Sequence, residues 1–201
     1  MRRILSLLPL ITALAGYVVQ PCQAESLVDN NLFVLAEKGT AADVRPFLKA
    51  QPEIGSTSIT KALHISAINN SKEVLKLFID AGGDVEDREG TMLLPEDGRA
   101  SDSDSFSTTP FYDAVSNGKY ENAKLLVSYG ADVNSTGFEG DTALHAAVLK
   151  DNLDFVKFLI SHGADPKMKN VANNTPCEIA NDPNFTIHNR KSMLKVMNYC
   201  K

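Results

Sequence analysis

The sequence predicts an all-α solenoid of about five stacked helix–turn–helix units joined by β-hairpin-like connections, with degenerate units at both ends. Two observations carry this. First, TPFYDAVSNGKYENAKLLVSYGADVN (109–134) lines up with TALHAAVLKDNLDFVKFLISHGADPK (142–167), Thr109 on Thr142 and Gly130 on Gly163, and the step from Thr142 to Thr175 is the same again. The period, about 33 residues, is of the length that marks a repeat array. Second, apolar residues inside each unit recur at three-to-four spacing and a glycine (Gly82, Gly130, Gly163) closes the run, as in an amphipathic helix with a C-terminal stop.

Ahead of the repeats, Arg2 and Arg3 precede a mostly apolar stretch from Ile4 to Val19, and CQA ends at Ala24. This is the pattern of a cleavable secretory signal, expected over residues 1–24, with ALA (13–15) as an alternative cleavage site and an uncleaved anchor as the competing reading. Gln20 and Pro21 before Cys22 do not suit a lipoprotein signal. No apolar run reaches the length of roughly 18 residues that a spanning helix needs, so no membrane span is expected after cleavage. Loss of Arg2 and Arg3 leaves 18 basic against 25 acidic side chains, net −7. Such a chain repels phosphates, which argues against nucleic acid as a partner.

The repeat domain is expected over 25–201. The first unit (approximately 29–57) is atypical and opens on NNLF. The second (58–90) carries ALHISAINNSKEVLKLFIDAGGDVE, but His64 and Tyr112 stand further apart than one period, so an insertion separates it from the third. That insertion (91–106) lies in an acidic stretch: DVEDREGTMLLPEDGRASDSDSF (84–106) holds eight acids against two arginines, net −6. The third unit (107–139) and the fourth (140–172) are the most regular. In both, a threonine (Thr109, Thr142) stands where it caps the first helix, and in the third Pro110 follows where a missing N–H costs nothing. Leu153, Val156, Leu159 and Ile160 make an apolar face on the second helix of the fourth. The fifth unit (173–201) starts TPCEIA, with Thr175 and Pro176, and continues through DPNFT to a last helix near 188–199. Residues 167–201 carry six basic against two acidic side chains, net +4.

GDTALHAAV with VKFLISHGADP, and TTPF with AKLLVSYGADVN, resemble the ankyrin repeat, whose pattern is roughly G-x-T-P-L-H-x-A-A followed by V-x-x-L-L-x-x-G-A-D-x-N. The resemblance covers about residues 27–201. It implies that His64 and His145, which share one repeat position, are structural and bond the threonine and nearby backbone. Tyr112 and Glu178 hold that position elsewhere. Stacking keeps the two histidines at least about 20 Å apart at about 10 Å per helical layer, so they do not share a site. His162 and His188 are expected at the surface. No metal-ligand spacing, phosphate-binding glycine loop or nucleophile–histidine–acid set is present in the sequence, so no cofactor, metal or catalytic residue is assigned. Sequons at Asn69, Asn134, Asn173 and Asn184 are short matches that asparagine-rich turns generate by chance.

An antiparallel helix pair sets the start of its first helix beside the end of its second. Cys177 and Cys200 occupy those places, which predicts a disulfide, with two buried thiols as the alternative.

The resemblance further implies protein binding along a concave surface of hairpin tips and first helices. On this chain that surface comprises Ile68 and Asn69, Phe106, Ser116 and Asn117, then Thr136, Phe138, Glu139, Asp141, Leu149 and Lys150, and Val171. The expected function is a monomeric, non-catalytic binding protein exported to a bacterial periplasm. Its partner would be a protein that is basic or carries a basic patch, steered by the acidic insertion. A toxin-neutralising immunity protein is the first role. A partner or chaperone of a periplasmic stress-defence enzyme, or a secreted effector binding host proteins, are the alternatives.

Overall fold

A computed structural model describes residues 21–69, 71–88 and 108–198, with only the backbone considered at 21–27 and at Phe138. Among these residues ten α-helices form five antiparallel pairs. They are α1 (Pro21–Lys38) with α2 (Ala41–Ala50), α3 (Ser56–Asn69) with α4 (Lys72–Asp80), α5 (Pro110–Ser116) with α6 (Tyr120–Ser128), α7 (Ala143–Leu149) with α8 (Leu153–Ser161), and α9 (Pro176–Asn181) with α10 (Arg190–Met197). The first helices stack in the order α1, α3, α5, α7, α9, and the second helices form the other layer. The core runs between the layers without a break, from Leu32 and Val44 through Leu63, Phe78, Phe111, Leu126, Leu144 and Leu159 to Met193 and Met197. No pair covers its own apolar face, so each depends on its neighbour.

Local chemistry explains the helix ends. Thr109 Oγ1 accepts the N–H of Tyr112 at 3.2 Å, and Thr175 Oγ1 that of Glu178 at 3.2 Å. Pro110 and Pro176 follow directly as first helical residues. Gly82, Gly130 and Gly163 take φ of 94°, 97° and 91°, the left-handed conformation that ends the second helices cheaply. On α8, Phe155, Val156 and Leu159 are buried, while Leu153 and Ile160 are only half-covered.

The connections between units are turns. Among the described residues their one β-pairing is an isolated antiparallel bridge, Thr136 to Thr142. An aspartate organises the turns that follow α4, α6 and α8: the N–H of Glu86, Asn134 and Lys167 donates to Oδ1 of Asp84, Asp132 and Asp165, each at 2.9 Å. Successive turns are then linked. The N–H of Asp132 donates to Glu86 Oε1 at 2.8 Å, and that of Asp165 to Asn134 Oδ1 at 2.8 Å.

The expected signal falls mainly on residues 1–20, outside the described residues, and α1 begins at Pro21, ahead of the expected cleavage point. The insertion, 91–106, also lies outside them. The last helix is shorter than the sequence suggests, ending at Met197, with Asn198 in the left-handed conformation at its C-terminus.

Candidate interaction surface

The tetrapeptide that opens α5, α7 and α9 sets the frame of the surface. In α7 the N–H of Thr142 donates to His145 Nδ1 at 3.1 Å, and the threonine hydroxyl lies 2.9 Å from the same nitrogen. A nitrogen that accepts a backbone N–H carries no proton in the neutral ring, so Nε2–H is the donor to the Asn174 carbonyl at 3.0 Å. Both nitrogens of the fully buried ring are thereby used, and they tie the fourth unit to the fifth. In α9, Glu178 takes the histidine's place: its Oε2 accepts the N–H and the hydroxyl of Thr175 at 2.7 and 2.9 Å. Hydrogen bonds from the Thr175 N–H and hydroxyl hold the Glu178 carboxyl below its ordinary 4.5.

His64 departs from the expected threonine-and-backbone network. Lys61 stands where the pattern has threonine, and α3 runs on upstream to Ser56, so there is no helix start for the ring to cap. The ring instead donates from Nδ1 to Asp113 Oδ2 at 2.9 Å, and Asp113 Oδ1 also accepts the Thr108 hydroxyl at 2.7 Å. The other nitrogen, Nε2, faces Asp87 Oδ2 at 3.7 Å. The histidine therefore joins the second and third units across the insertion through a carboxylate.

Tyr112, the third variant of this position, lays its ring against Gly137. A Cβ on Gly137 would fall 2.0 Å from Tyr112 Cε1, so the tyrosine and the glycine are matched. Burial, followed by the carboxylates of Asp141, Asp113 and Glu139, pushes the Tyr112 phenol up to about 12.

The predicted surface residues fall into three groups. Leu149 and Lys150, at the end of α7, are exposed, as are Val171 and Glu139 at neighbouring turn tips, where the Val171 N–H donates to the Glu139 carbonyl at 2.8 Å. Val171 is 80% exposed and Leu149 41%. Glu139 adopts φ 54°, a left-handed conformation costly for a non-glycine residue. The second group is engaged in the scaffold. Asp141 Oδ1 accepts from Asn170 Nδ2 at 2.8 Å, Ser116 Oγ donates to the Asp113 carbonyl at 3.0 Å, Asn117 Nδ2 to the same carbonyl at 2.9 Å, and Asn69 Nδ2 to the Ile65 carbonyl at 3.2 Å. Ile68 and Thr136 are half-buried, Ile68 on α3 and Thr136 in the bridge to Thr142. The third group, Phe106 and the Phe138 side chain, lies outside what is described, although Phe138 opens a single 3-10 turn, Phe138–Gly140.

Cys177 is buried in the first turn of α9; Cys200 lies outside the described residues. His162 and His188 are both at the surface. Asp151, which the repeat pattern alone does not single out, accepts the N–H of His188 and of Asn189, each at 3.0 Å, and lies 3.1 Å from His188 Nδ1, fastening the start of α10. It occupies the repeat position of Gly118 and, like that glycine, has a positive φ, 52° against 72°. Its departure from glycine was the available signal. Among the described residues no three histidine, cysteine, aspartate or glutamate side chains are placed to hold a metal ion, and no helix is long and apolar enough to cross a membrane.

A family model described as ankyrin repeats (three copies) matches residues 32–137 and 91–170. The chain belongs to the ankyrin-repeat family. Its similarity to curated proteins is of the same kind. It is 31% identical over 119 residues to the mouse B-cell lymphoma 3 protein homolog, covering 59% of this chain and 23% of that protein. It is 35% identical over 126 residues to the Caenorhabditis elegans BRCA1-associated RING domain protein 1, covering 61% and 16%. It is 31% identical over 124 residues to the dog Inversin, covering 62% and 10%. The chain thus spans less than a quarter of the length of these relatives, and the likeness concerns the repeat segment. Ankyrin repeats are protein–protein interaction modules, generally without catalysis of their own, and this chain's repeats are such a module.

Proposed function

We propose that this ankyrin-repeat protein is exported to a bacterial periplasm and there occludes a protein partner carrying a basic patch, as a toxin-neutralising immunity protein does. The observation that carries the reading is the exposure of Val171 beside Glu139 and of Leu149 beside Lys150, where the remaining apolar side chains of the fourth unit are largely withdrawn into the core. Exposed aliphatic side chains ringed by charge are what a binding surface presents. The acidic turn of the second unit, with Asp84, Glu86 and Asp87 against Arg88, supplies charge complementary to a basic partner. An oxidising compartment accords with a bridge from Cys177 to Cys200 closing the last unit.

Affinity capture of the protein from its native compartment tests the reading. A stoichiometric complex with a toxin encoded by a neighbouring gene, weakened at least tenfold by Val171→Glu with Leu149→Glu, supports it. Loss of a periplasmic enzyme's activity on deletion of the gene favours the chaperone role, and recovery of the chain from host cells favours the effector role. Titration of two reactive thiols before reduction would remove the bridge.

A further inference from the structure

The turn between the third and fourth units is shaped around a phenol. Its Gly137 donates an N–H to the Asp141 carbonyl at 2.8 Å, which closes the turn. A Cβ on Gly137 would fall 2.1 Å from Tyr112 Cδ1 and 2.4 Å from Cζ, so the ring fills the space the glycine leaves and carries its hydroxyl to this turn. Tyr112 is 7% exposed, yet among the described residues its hydroxyl has no hydrogen-bond partner. A buried polar group ordinarily has one. We propose that Tyr112, Glu139 and Asp141 form a binding site for an arginine side chain presented by a protein partner, with Val171 as an apolar rest for its stem. The site rests on the reading of a basic partner and marks where that charge is received.

Two carboxylates stand by that hydroxyl with capacity to spare. Asp141 is held by Asn170 Nδ2, which donates to its Oδ1 at 2.8 Å, and among the described residues its other oxygen accepts nothing. The exposed Glu139 side chain makes no hydrogen bond or ion pair among them. Both charges reach the phenol: burial first, then Asp141, Asp113 and Glu139, push it up to about 12. Asp113 is committed to His64 and Thr108, which leaves Asp141 and Glu139 to receive a cation. Lys169 of the following turn does not supply it, since its ammonium donates to Asn173 Oδ1 at 3.1 Å.

The acceptors select a cation with several N–H donors. A guanidinium fans five of them in a plane, enough to serve both carboxylates and the phenol oxygen together, while the phenol's own proton turns to a carboxylate. Two carboxylates and a neutral phenol are too few protein ligands for a divalent metal cage. The Val171 N–H donates to the Glu139 carbonyl at 2.8 Å, which holds the 80% exposed valine next to the charge, where the methylene stem of an arginine passes.

The probe is N-acetyl-arginine methylamide, titrated into the purified protein with amide chemical shifts as readout. Saturable movement of the amides of residues 136–141 and 170–172 is expected, and none with the neutral citrulline analogue. Two variants remove the receptor and spare the fold. Tyr112→Phe keeps the ring against Gly137, and a hydroxyl bonded to nothing in the scaffold leaves no partner behind. Glu139 sits at φ 54°, which glycine adopts readily, so Glu139→Gly keeps the turn. Both should melt as wild type does, with arginine affinity about fivefold lower in the first and about tenfold lower in the second. Equal response to arginine and citrulline, or unchanged affinity in either variant, overturns the proposal. So does a lower melting temperature in Tyr112→Phe, which would give the hydroxyl a partner in the scaffold. Saturation of the same amides by calcium ions with no response to arginine overturns it in favour of a metal site. A captured partner whose affinity ignores both variants overturns the arginine site and leaves the proposed function standing; arginine seating without any captured protein does the reverse.

Discussion

At the scale of the residue, one repeat position carries three different solutions to the same problem. His145 spends both ring nitrogens on the scaffold. His145→Ala is therefore expected to lower stability by about 2–4 kcal/mol, through two lost hydrogen bonds and the space left behind; denaturant unfolding measures it. Glu178 solves the problem with charge. Because its carboxyl is held below 4.5 when folded, its contribution is complete above that value and fades as pH falls through the lower folded value. The difference in melting temperature between wild type and Glu178→Gln should accordingly shrink on acidification below pH 4.5, and a constant difference would refute the assignment. Tyr112 solves it with volume, and Gly137→Ala should cost about 1–3 kcal/mol by overpacking against the ring. Combined with Tyr112→Ala, the glycine substitution should cost much less, a coupling that a double-mutant cycle resolves.

At the scale of the element, the last unit depends on a residue from the one before. Asp151 feels burial, which raises its carboxyl, but the N–H groups of Asn189 and His188 and then their side chains outweigh this and bring it below the ordinary 3.8. Asp151→Ala removes those acceptors and leaves the two N–H groups that open α10 without their partner. The expected cost is about 1–3 kcal/mol, with faster hydrogen exchange concentrated in residues 188–197. If exchange quickened evenly along the chain, the local anchoring role would be wrong. What was legible in the sequence divides along the same line. Helix pairs, caps and glycine stops follow from neighbours close in the chain, and the repeat spacing exposes them. The role of His145 was legible because its threonine partner opens the same helix. The partners of His64 were not, because Asp113 comes from beyond the insertion and the loss of the capping threonine at Lys61 frees the ring to find it. Nor was the fit of Tyr112 to Gly137, which requires a turn and a helix to meet. On the surface, the sequence named Asp141, Ser116 and Asn117 from their repeat positions alone, and could not tell that their polar groups bond within the scaffold.

At the scale of the whole molecule, charge and exposure are unevenly spread along the stack. The turn of the second unit is acidic, with Asp84, Glu86 and Asp87, whereas that of the fourth carries Lys167 and Lys169 beside the exposed Val171, and Glu139 stands in the turn before it. A partner reading this surface meets an electrostatic gradient, so its association should slow steadily as salt rises and the Debye length shortens. The central claim is that the scaffold and the surface are separable: the repeat tetrapeptides hold the fold and the turn tips meet the partner. The most direct test measures melting temperature and partner capture together for Val171→Glu with Leu149→Glu and for His145→Ala. The account predicts that the surface variant keeps its melting temperature and loses capture at least tenfold, while the histidine variant melts lower and, below its transition, captures as wild type does. Undiminished capture by a folded surface variant would contradict it.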